Sequence, residues 1–426
     1  MKLIEQILAK NNVREALKRV ESNKGASGID GMKVEELRDY MNANWTSIKQ
    51  SILERRYKPA PVRRVEIPKP NGGVRKLGIP TVVDRTLQQS IVQVLTPIFE
   101  AEFQENSYGF RPGRSCEQAV QKLLEYLNEG AEWIVDIDLE KFFDNVPQDK
   151  LMSYVGRVIQ DPDTESLIRK YLKSGVMDHG LYEATELGTP QGGNLSPLLS
   201  NVMLNELDKE LVRRGLRYVR YADDCVIAVG SEASAKRVMH SVTQWIERVL
   251  GLKVNATKTH VCRPSKLKYL GFGFYKSPQT KQWTARPHEA SVAKFVRNLK
   301  KLCKRSWSIS MTARITMLNR VIRGWINYFA IGAMKGKMAT IDEHLRTMLR
   351  KVIWKQWKTP RKRAWGLRKL GICNDLAKLT SYSGDRYEWV VRRTCVVRAI
   401  SKDVLARRGL VSCLDYYAIS HSLKTN

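Results

Sequence analysis

Two aspartates stand side by side in an apolar frame in RYADDCVIAVG, residues 220–230. A second apolar run, WIVDIDL at 133–139, carries Asp136 and Asp138, and Asp144 follows in FFD. Carboxylates held ~5 Å apart repel by about 3 kcal/mol at an effective dielectric of 20, and by more when buried. A fold that gathers three of them must protonate some or neutralise them with divalent cations. Magnesium takes a few hard carboxylate oxygens together with water and substrate phosphates, which such a trio supplies. Two such ions can activate a 3′-hydroxyl and stabilise a departing pyrophosphate in one in-line displacement. An isolated Asp-Asp would mean only a turn, since Asp bonds readily to nearby backbone there. The second acidic strand is what raises it to a candidate metal site.

The elements that must position these acids can be read around them. Residues 218–220 and 225–229 are the arms of a tight hairpin, with Ala222, Asp223 and Asp224 at its tip. Residues 62–68 and 74–80 form a second hairpin across Asn71-Gly72, a strong turn signal between alternating segments. It carries Arg63, Arg64, Lys69, Arg75 and Lys76. Residues 1–55 are helical apart from a loop at 23–31 with three glycines. A helix at 83–94 and the loop YGFRPGR (108–114) precede a helix that Ser115 caps with Gln118 at the third position. The segment 133–139 is a strand, TPQGG (189–193) a turn, and Ser196-Pro197 the cap and first residue of a long helix. Residues 233–250 are helical and 267–274 a strand. Strands and helices mix without a regular βαβ repeat, so the first two thirds are α+β and the last third is helical.

Charge indicates what the acids act upon. The chain of 426 residues has 73 Lys and Arg against 43 Asp and Glu, a formal +30. Such self-repulsion calls for a polyanionic partner. Nucleic acid fits better than a membrane, because no stretch approaches ~18 consecutive apolar residues. The start, MKLIEQILAKNNVREALKRV, is an amphipathic helix and not a signal peptide. Seven scattered cysteines without a C-x-x-C pair point to free thiols in a reducing compartment. Between 286 and 370 there are 22 Lys or Arg and three acids (Glu289, Asp342, Glu343), a net +19 on helices with three- and four-residue apolar spacing. That is a phosphate-binding surface, where solvated basic faces are the plainer alternative. Trp325, Tyr328 and Phe329 on one helical face, and Trp354 with Trp357, are read as core.

Taken together, YADD (221–224), Asp138 with FFD (142–144) and TPQGGNLSP (189–197) resemble a reverse transcriptase in order and spacing. SYGFRPGRS (107–115), LGTPQGGNLSPLLSN (187–201), KGASGIDG (24–31), RGWINYF (323–329) and WKQWKTPRKR (354–363) narrow the resemblance. They are similar to a bacterial group II intron-encoded reverse transcriptase and maturase of the compact, group IIC-like type, over essentially the whole chain. The resemblance implies a right-hand polymerase: a template-binding N-terminal extension (1–60), fingers and palm (61–285), a helical basic thumb (286–370) and a DNA-binding-like segment (371–426). It implies that Asp138, Asp223 and Asp224, with the Leu139 carbonyl, hold two Mg²⁺ ions, manganese being able to substitute. Phe143 would exclude a 2′-hydroxyl, Gln191 and Gly192 would lie against the nascent base pair, and Lys69 and Arg75 would meet the incoming dNTP. Lys258, in VNATKT, would assist pyrophosphate departure. Lys24, Gly25, Arg63, Arg111 and Arg114 would touch template or primer, and Leu270, Gly271 and Phe272 would form the primer-gripping hairpin. Asp136 and Asp144 have a structural role as their plainer reading.

The partners implied are a group II intron RNA, an RNA template with a DNA primer, dNTPs and target DNA, in the bacterial cytoplasm, as monomer or homodimer. The six histidines lack metal-ligand spacing and no paired Cys and His ligands follow residue 371, so a built-in nuclease is not expected. Two other functions share these residues: a domesticated reverse transcriptase in DNA repair or defence, and an RNA-binding splicing cofactor with a silent polymerase fold.

Overall fold

A computed structural model describes residues 2–68, 73–189 and 192–425. The chain divides into two compact units, Met1–Arg263 and Pro264–Asn426. In chain order the strands are β1 (Val62–Pro68), β2 (Val74–Ile79), β3 (Trp133–Ile137), β4 (Val176–Asp178), β5 (Leu181–Glu183), β6 (Arg217–Tyr221), β7 (Asp224–Val229), β8 (His260–Cys262), β9 (Lys268–Tyr269), β10 (Phe272–Lys276) and β11 (Trp283–Pro287).

The first unit holds two four-stranded sheets, ordered β2-β1-β4-β5 and β6-β7-β3-β8. β1 and β2 form the expected antiparallel hairpin, with Arg63 opposite Ile79 and Pro68 opposite Val74. The second sheet is antiparallel throughout, and on its inner face Val135, Ile137 and Ile227 join one core with Leu87, Ile91, Phe99 and Leu204 from the helices, with Arg220 the buried charge on that face. Each such side chain contributes about 1.5–3 kcal/mol on burial. Helix ends follow local chemistry. Ser115 accepts from the Gln118 N–H at 3.3 Å while the Gln118 side chain accepts from the Ser115 N–H at 2.8 Å, the anticipated reciprocal cap. Thr81 caps Val82–Glu100: its Oγ1 accepts from the Asp84 N–H and donates to Asp84 Oδ2.

Two local expectations change. Ser196 is the first residue of the helix Ser196–Arg213 and Pro197 the second; Leu195 takes the cap position without a side-chain bond. The segment 267–274 is not one strand. Tyr269 pairs with Phe272 across Leu270 (φ 49°) and Gly271 (φ 83°), a two-residue hairpin with both turn residues left-handed. An L-residue enters that region reluctantly, so Leu270 gave no turn signal.

The second unit is the small sheet β11-β10-β9 with helices that include Glu289–Leu302, Met311–Phe329, Lys335–Gln356, Pro360–Lys369 and Cys413–Thr425. Trp325 stacks on Phe295 at 4.4 Å, and Trp354 is fully buried, as expected of core aromatics. Tyr328 differs: it is 41% exposed and its hydroxyl donates to the Leu270 carbonyl at 2.9 Å. Asp342 fixes the last helix by accepting from Ser412 Oγ and the Cys413 and Leu414 N–H groups at 2.7–2.9 Å. Among the described residues, no helix is long and apolar enough to cross a membrane.

Candidate active site

The two acidic segments meet because β3 and β7 are antiparallel neighbours. Ile137 pairs with Cys225, so the next step of the ladder sets Asp138 across from Asp224. Tyr221 pairs with Asp224, which leaves Ala222 and Asp223 as a two-residue turn. Asp224 is therefore the first residue of β7 and not part of the loop itself. Ala222 sits at φ 58°, strained for a residue with a Cβ.

The acids lie in one another's fields. Desolvation, then Asp223, Asp136 and Asp138, push the Asp224 carboxyl up to about 6, against the pull of Lys258. Asp224 itself is an exposed residue at the start of its strand. Asp223 is also raised, by desolvation and by Asp138, with Arg75 and Arg220 opposing. Asp136 rises to about 6, mainly through desolvation, and is eased by His260, its partner across β3 and β8. Asp138 is anchored from three sides. Its N–H donates to Thr259 Oγ1 at 3.1 Å, its carbonyl accepts from the Asn255 N–H at 2.8 Å, and its carboxylate meets the Lys258 ammonium at 3.2 Å. Leu139 forms an isolated bridge with Val254.

This donor set fits a hard divalent cation in its chemistry: oxygen donors only, on several carboxylates that resist sharing one small volume as anions. The pairing of Asp138 with Lys258 shows one of those charges already balanced. Among the described residues, no three His, Cys, Asp or Glu side chains converge into a ready coordination cluster. Cation binding thus requires the side chains to draw together.

The tip is braced from outside the hairpin, by residues that sequence reasoning did not assign. Arg220 is fully buried, and its backbone N–H donates to Asn106 O while its carbonyl accepts from the Tyr108 N–H, both at 2.9 Å. Gly109 lies so close that a Cβ there would stand 2.2 Å from the Ala222 nitrogen. Asn201 holds the same loop, donating to the Gly109 carbonyl at 2.8 Å. Gly109→Ala is accordingly expected to displace the tip. Primer extension falls roughly 100-fold, the scale of a ~1 Å misplacement, with stability lowered by about 1–3 kcal/mol. Single-turnover extension alongside thermal melting checks both numbers.

The remaining expected residues fall into three groups. Lys69 and Gln191 lie outside the described residues. Phe143, half-buried beside Phe142, sits in the short helix Phe142–Asn145, and its carbonyl accepts from the Thr189 N–H at 2.7 Å. Gly188 permits this clasp, since a Cβ would stand 2.7 Å from the Phe143 oxygen. Gly192 (φ 120°) approaches the Gly78 carbonyl of β2 equally closely. The positive charge of Arg75 pulls the Asp223 carboxyl down, and Arg114 stays partly exposed over the Tyr108 ring. Lys24 is the left-handed cap of Lys10–Asn23, and Gly25 lies against Arg85.

Arg63 has an internal partner, and two assignments, Arg111 and Phe272, are corrected. Arg63 Nε and Nη2 donate to the Ser27 carbonyl at 3.1 and 2.7 Å and hold the 24–31 loop, while the residue stays partly exposed. Arg111 is buried, with its donors taken by Glu100 and the carbonyls of Gln104 and Ser107. The Phe272 side chain is buried against Phe329, which leaves Leu270 and Gly271 as the accessible part of that hairpin.

The model of the family "Reverse transcriptase (RNA-dependent DNA polymerase)" matches residues 67–274, and that of "Group II intron, maturase-specific domain" matches residues 292–371. Protein YkfC of Escherichia coli (strain K12) is 34% identical over 300 residues, 61% of this chain and 79% of that protein. Group II intron-encoded protein LtrA of Lactococcus lactis subsp. cremoris is 37% identical over 235 residues, 53% of this chain and 38% of that protein. The putative COX1/OXI3 intron 2 protein of Saccharomyces cerevisiae is 26% identical, covering 80% of this chain and 45% of that protein. The matched stretch therefore spans less than half of the LtrA and yeast proteins.

Proposed function

Because the chain belongs to the reverse transcriptases that carry a group II intron maturase domain, we propose that it copies RNA into DNA and also binds its intron RNA to promote splicing and mobility. The observation that carries the polymerase reading is the β3–β7 register, which sets Asp138 beside the Asp223-Asp224 hairpin inside the matched polymerase region. In this reading Asp138, Asp223 and Asp224, with the Leu139 carbonyl, hold two Mg²⁺ ions. When bound, those ions activate the primer 3′-hydroxyl and stabilise the pyrophosphate leaving group. Arg75 and Lys69 orient the triphosphate, and Lys258 supplies positive charge near the departing pyrophosphate. Gln191 lies along the nascent base pair. Phe143, fixed through its own carbonyl by the Gly188-Thr189 clasp, excludes the ribose 2′-hydroxyl.

The polymerase subdomains are proposed as fingers and palm over 61–285 after an N-terminal extension, with a thumb over 286–370 and a DNA-binding segment over 371–426. The net +19 of residues 286–370 supports the RNA-binding half. Its substrates are an RNA template with a DNA primer, dNTPs, the intron RNA and target DNA. RNA-templated extension of a DNA primer with dNTPs and Mg²⁺ tests the polymerase half, and no cDNA with either Mg²⁺ or Mn²⁺ overturns it. The binding half makes its own prediction. Affinity for a structured RNA is expected to fall by roughly 0.7–0.9 log units per neutralised phosphate for each tenfold rise in salt. With six or more contacts the slope of log affinity against log salt is steeper than about −4. A filter-binding series checks it, and a slope near zero removes the phosphate surface.

A further inference from the structure

Arg220 stands two positions before Ala222, the first residue of the tip, and does more than fill the core. Its guanidinium donates to the Ala222 carbonyl at 2.9 Å, Ser107 Oγ at 2.7 Å, Asn201 Oδ1 at 3.1 Å and Asp208 Oδ1 at 2.8 Å. Asn201 and Asp208 belong to the helix Ser196–Arg213, and Ser107 to the loop after Val82–Glu100. Both Arg220 and Asp208 are wholly removed from solvent. One planar fork therefore ties the turn to two other elements at once, which a single-point ammonium cannot do.

The bond to Ala222 bears on the acids directly. Ala222 is the left-handed residue of the turn, and its carbonyl belongs to the peptide that leads into Asp223. Fixing that carbonyl fixes the peptide plane, and with it the direction in which Asp223 and Asp224 leave the turn. The candidate cluster is not drawn together as it stands. Binding strength then depends on how little freedom the turn has left to lose, as in any preorganised site.

We infer that Arg220 is a positioning residue that presets the Ala222-Asp223 peptide, so that Asp223 and Asp224 bind divalent cations tightly. Ser107 and Asn201 complete the same clamp. This inference rests on the reading that those aspartates are cation ligands, and the experiment separates the two.

Mn²⁺ binding to the purified, nucleic-acid-free protein is measured by titration, beside hydrogen exchange in the peptide spanning 219–226. In Arg220→Lys, which keeps the charge and loses the fork, the Mn²⁺ dissociation constant is expected to rise roughly tenfold, the worth of one charge-assisted bond. Exchange at the tip rises, while primer–template affinity stays within about twofold. Ser107→Ala, which deletes one hydroxyl and keeps the fold, shows the same signature at roughly threefold. Asp223→Asn serves as the reference. If it loses Mn²⁺ while both clamp variants bind as the native protein does, the cation reading stands and the positioning role is overturned. If Asp223→Asn itself binds Mn²⁺ normally, both fall. Should Arg220→Lys fail to fold, Ser107→Ala decides alone.

Discussion

Asp224→Asn is expected to lower RNA-templated primer extension by roughly 10³-fold or more, since Lewis-acid stabilisation of the reacting oxygens is worth several kcal/mol. The substitution keeps the shape of the side chain and removes one anionic donor from a set whose members oppose one another. Primer–template binding should survive, because the hairpin tip is a small part of so basic a chain. The same variant is expected to melt at an equal or higher temperature in the absence of metal. The sign follows from linkage. A carboxyl raised from 3.8 to about 6 in the folded state favours folding most when protonated, and that advantage is lost as pH rises from near 4 through 6. Above that window the charged form opposes folding, and asparagine removes the opposition. Single-turnover extension and a melting curve at pH 7.5 are the measurements. Undiminished extension would remove Asp224 from the reaction.

Asp208→Ala is expected to be the most destabilising single change in the first unit. Asp208 and Arg220 are both fully buried, and the variant strands a guanidinium that no solvent reaches. Breaking such a pair from one side costs about 3–5 kcal/mol. For a unit of this size that is a fall in melting temperature of roughly 10 °C. The double variant Asp208→Leu/Arg220→Met is expected to recover much of the loss, because replacing both charges leaves none unpaired. It should not recover extension, since nothing then holds the Ala222 carbonyl. Denaturant unfolding of the three variants separates the two effects. A loss under ~0.5 kcal/mol in Asp208→Ala would mean that the pair is more hydrated than its geometry implies.

The corrected residues show where reading the chain fell short. Arg63 and Arg111 have the same composition signal as Arg75, and an arginine in a basic loop looks ready for phosphate wherever it points. Only packing shows that Arg63 bonds a backbone carbonyl and that Arg111 is consumed by two carbonyls and a glutamate, while the charge of Arg75 is felt by Asp223. Arg220 is the opposite case. It stood at the head of the most conspicuous motif and went unassigned, because its partners lie 12, 19 and 113 positions away. The residues 267–274 read as one strand because Leu270 gives no hint of a positive φ, and only the resemblance implied a hairpin at Leu270, Gly271 and Phe272.

What the sequence by itself determined was the chemistry: two acidic strand segments, an excess of positive charge concentrated in 286–370, and an order of motifs that implied a polymerase followed by an RNA-binding helical region. Those are properties of residue type and short-range spacing, which survive in any conformation. Only the tertiary structure decided which charges are spent internally and which face a ligand. Burial and pairing are set by elements a hundred residues apart. The fork of one guanidinium beneath a strained turn is a fact of packing, and short-range spacing along the chain does not encode it.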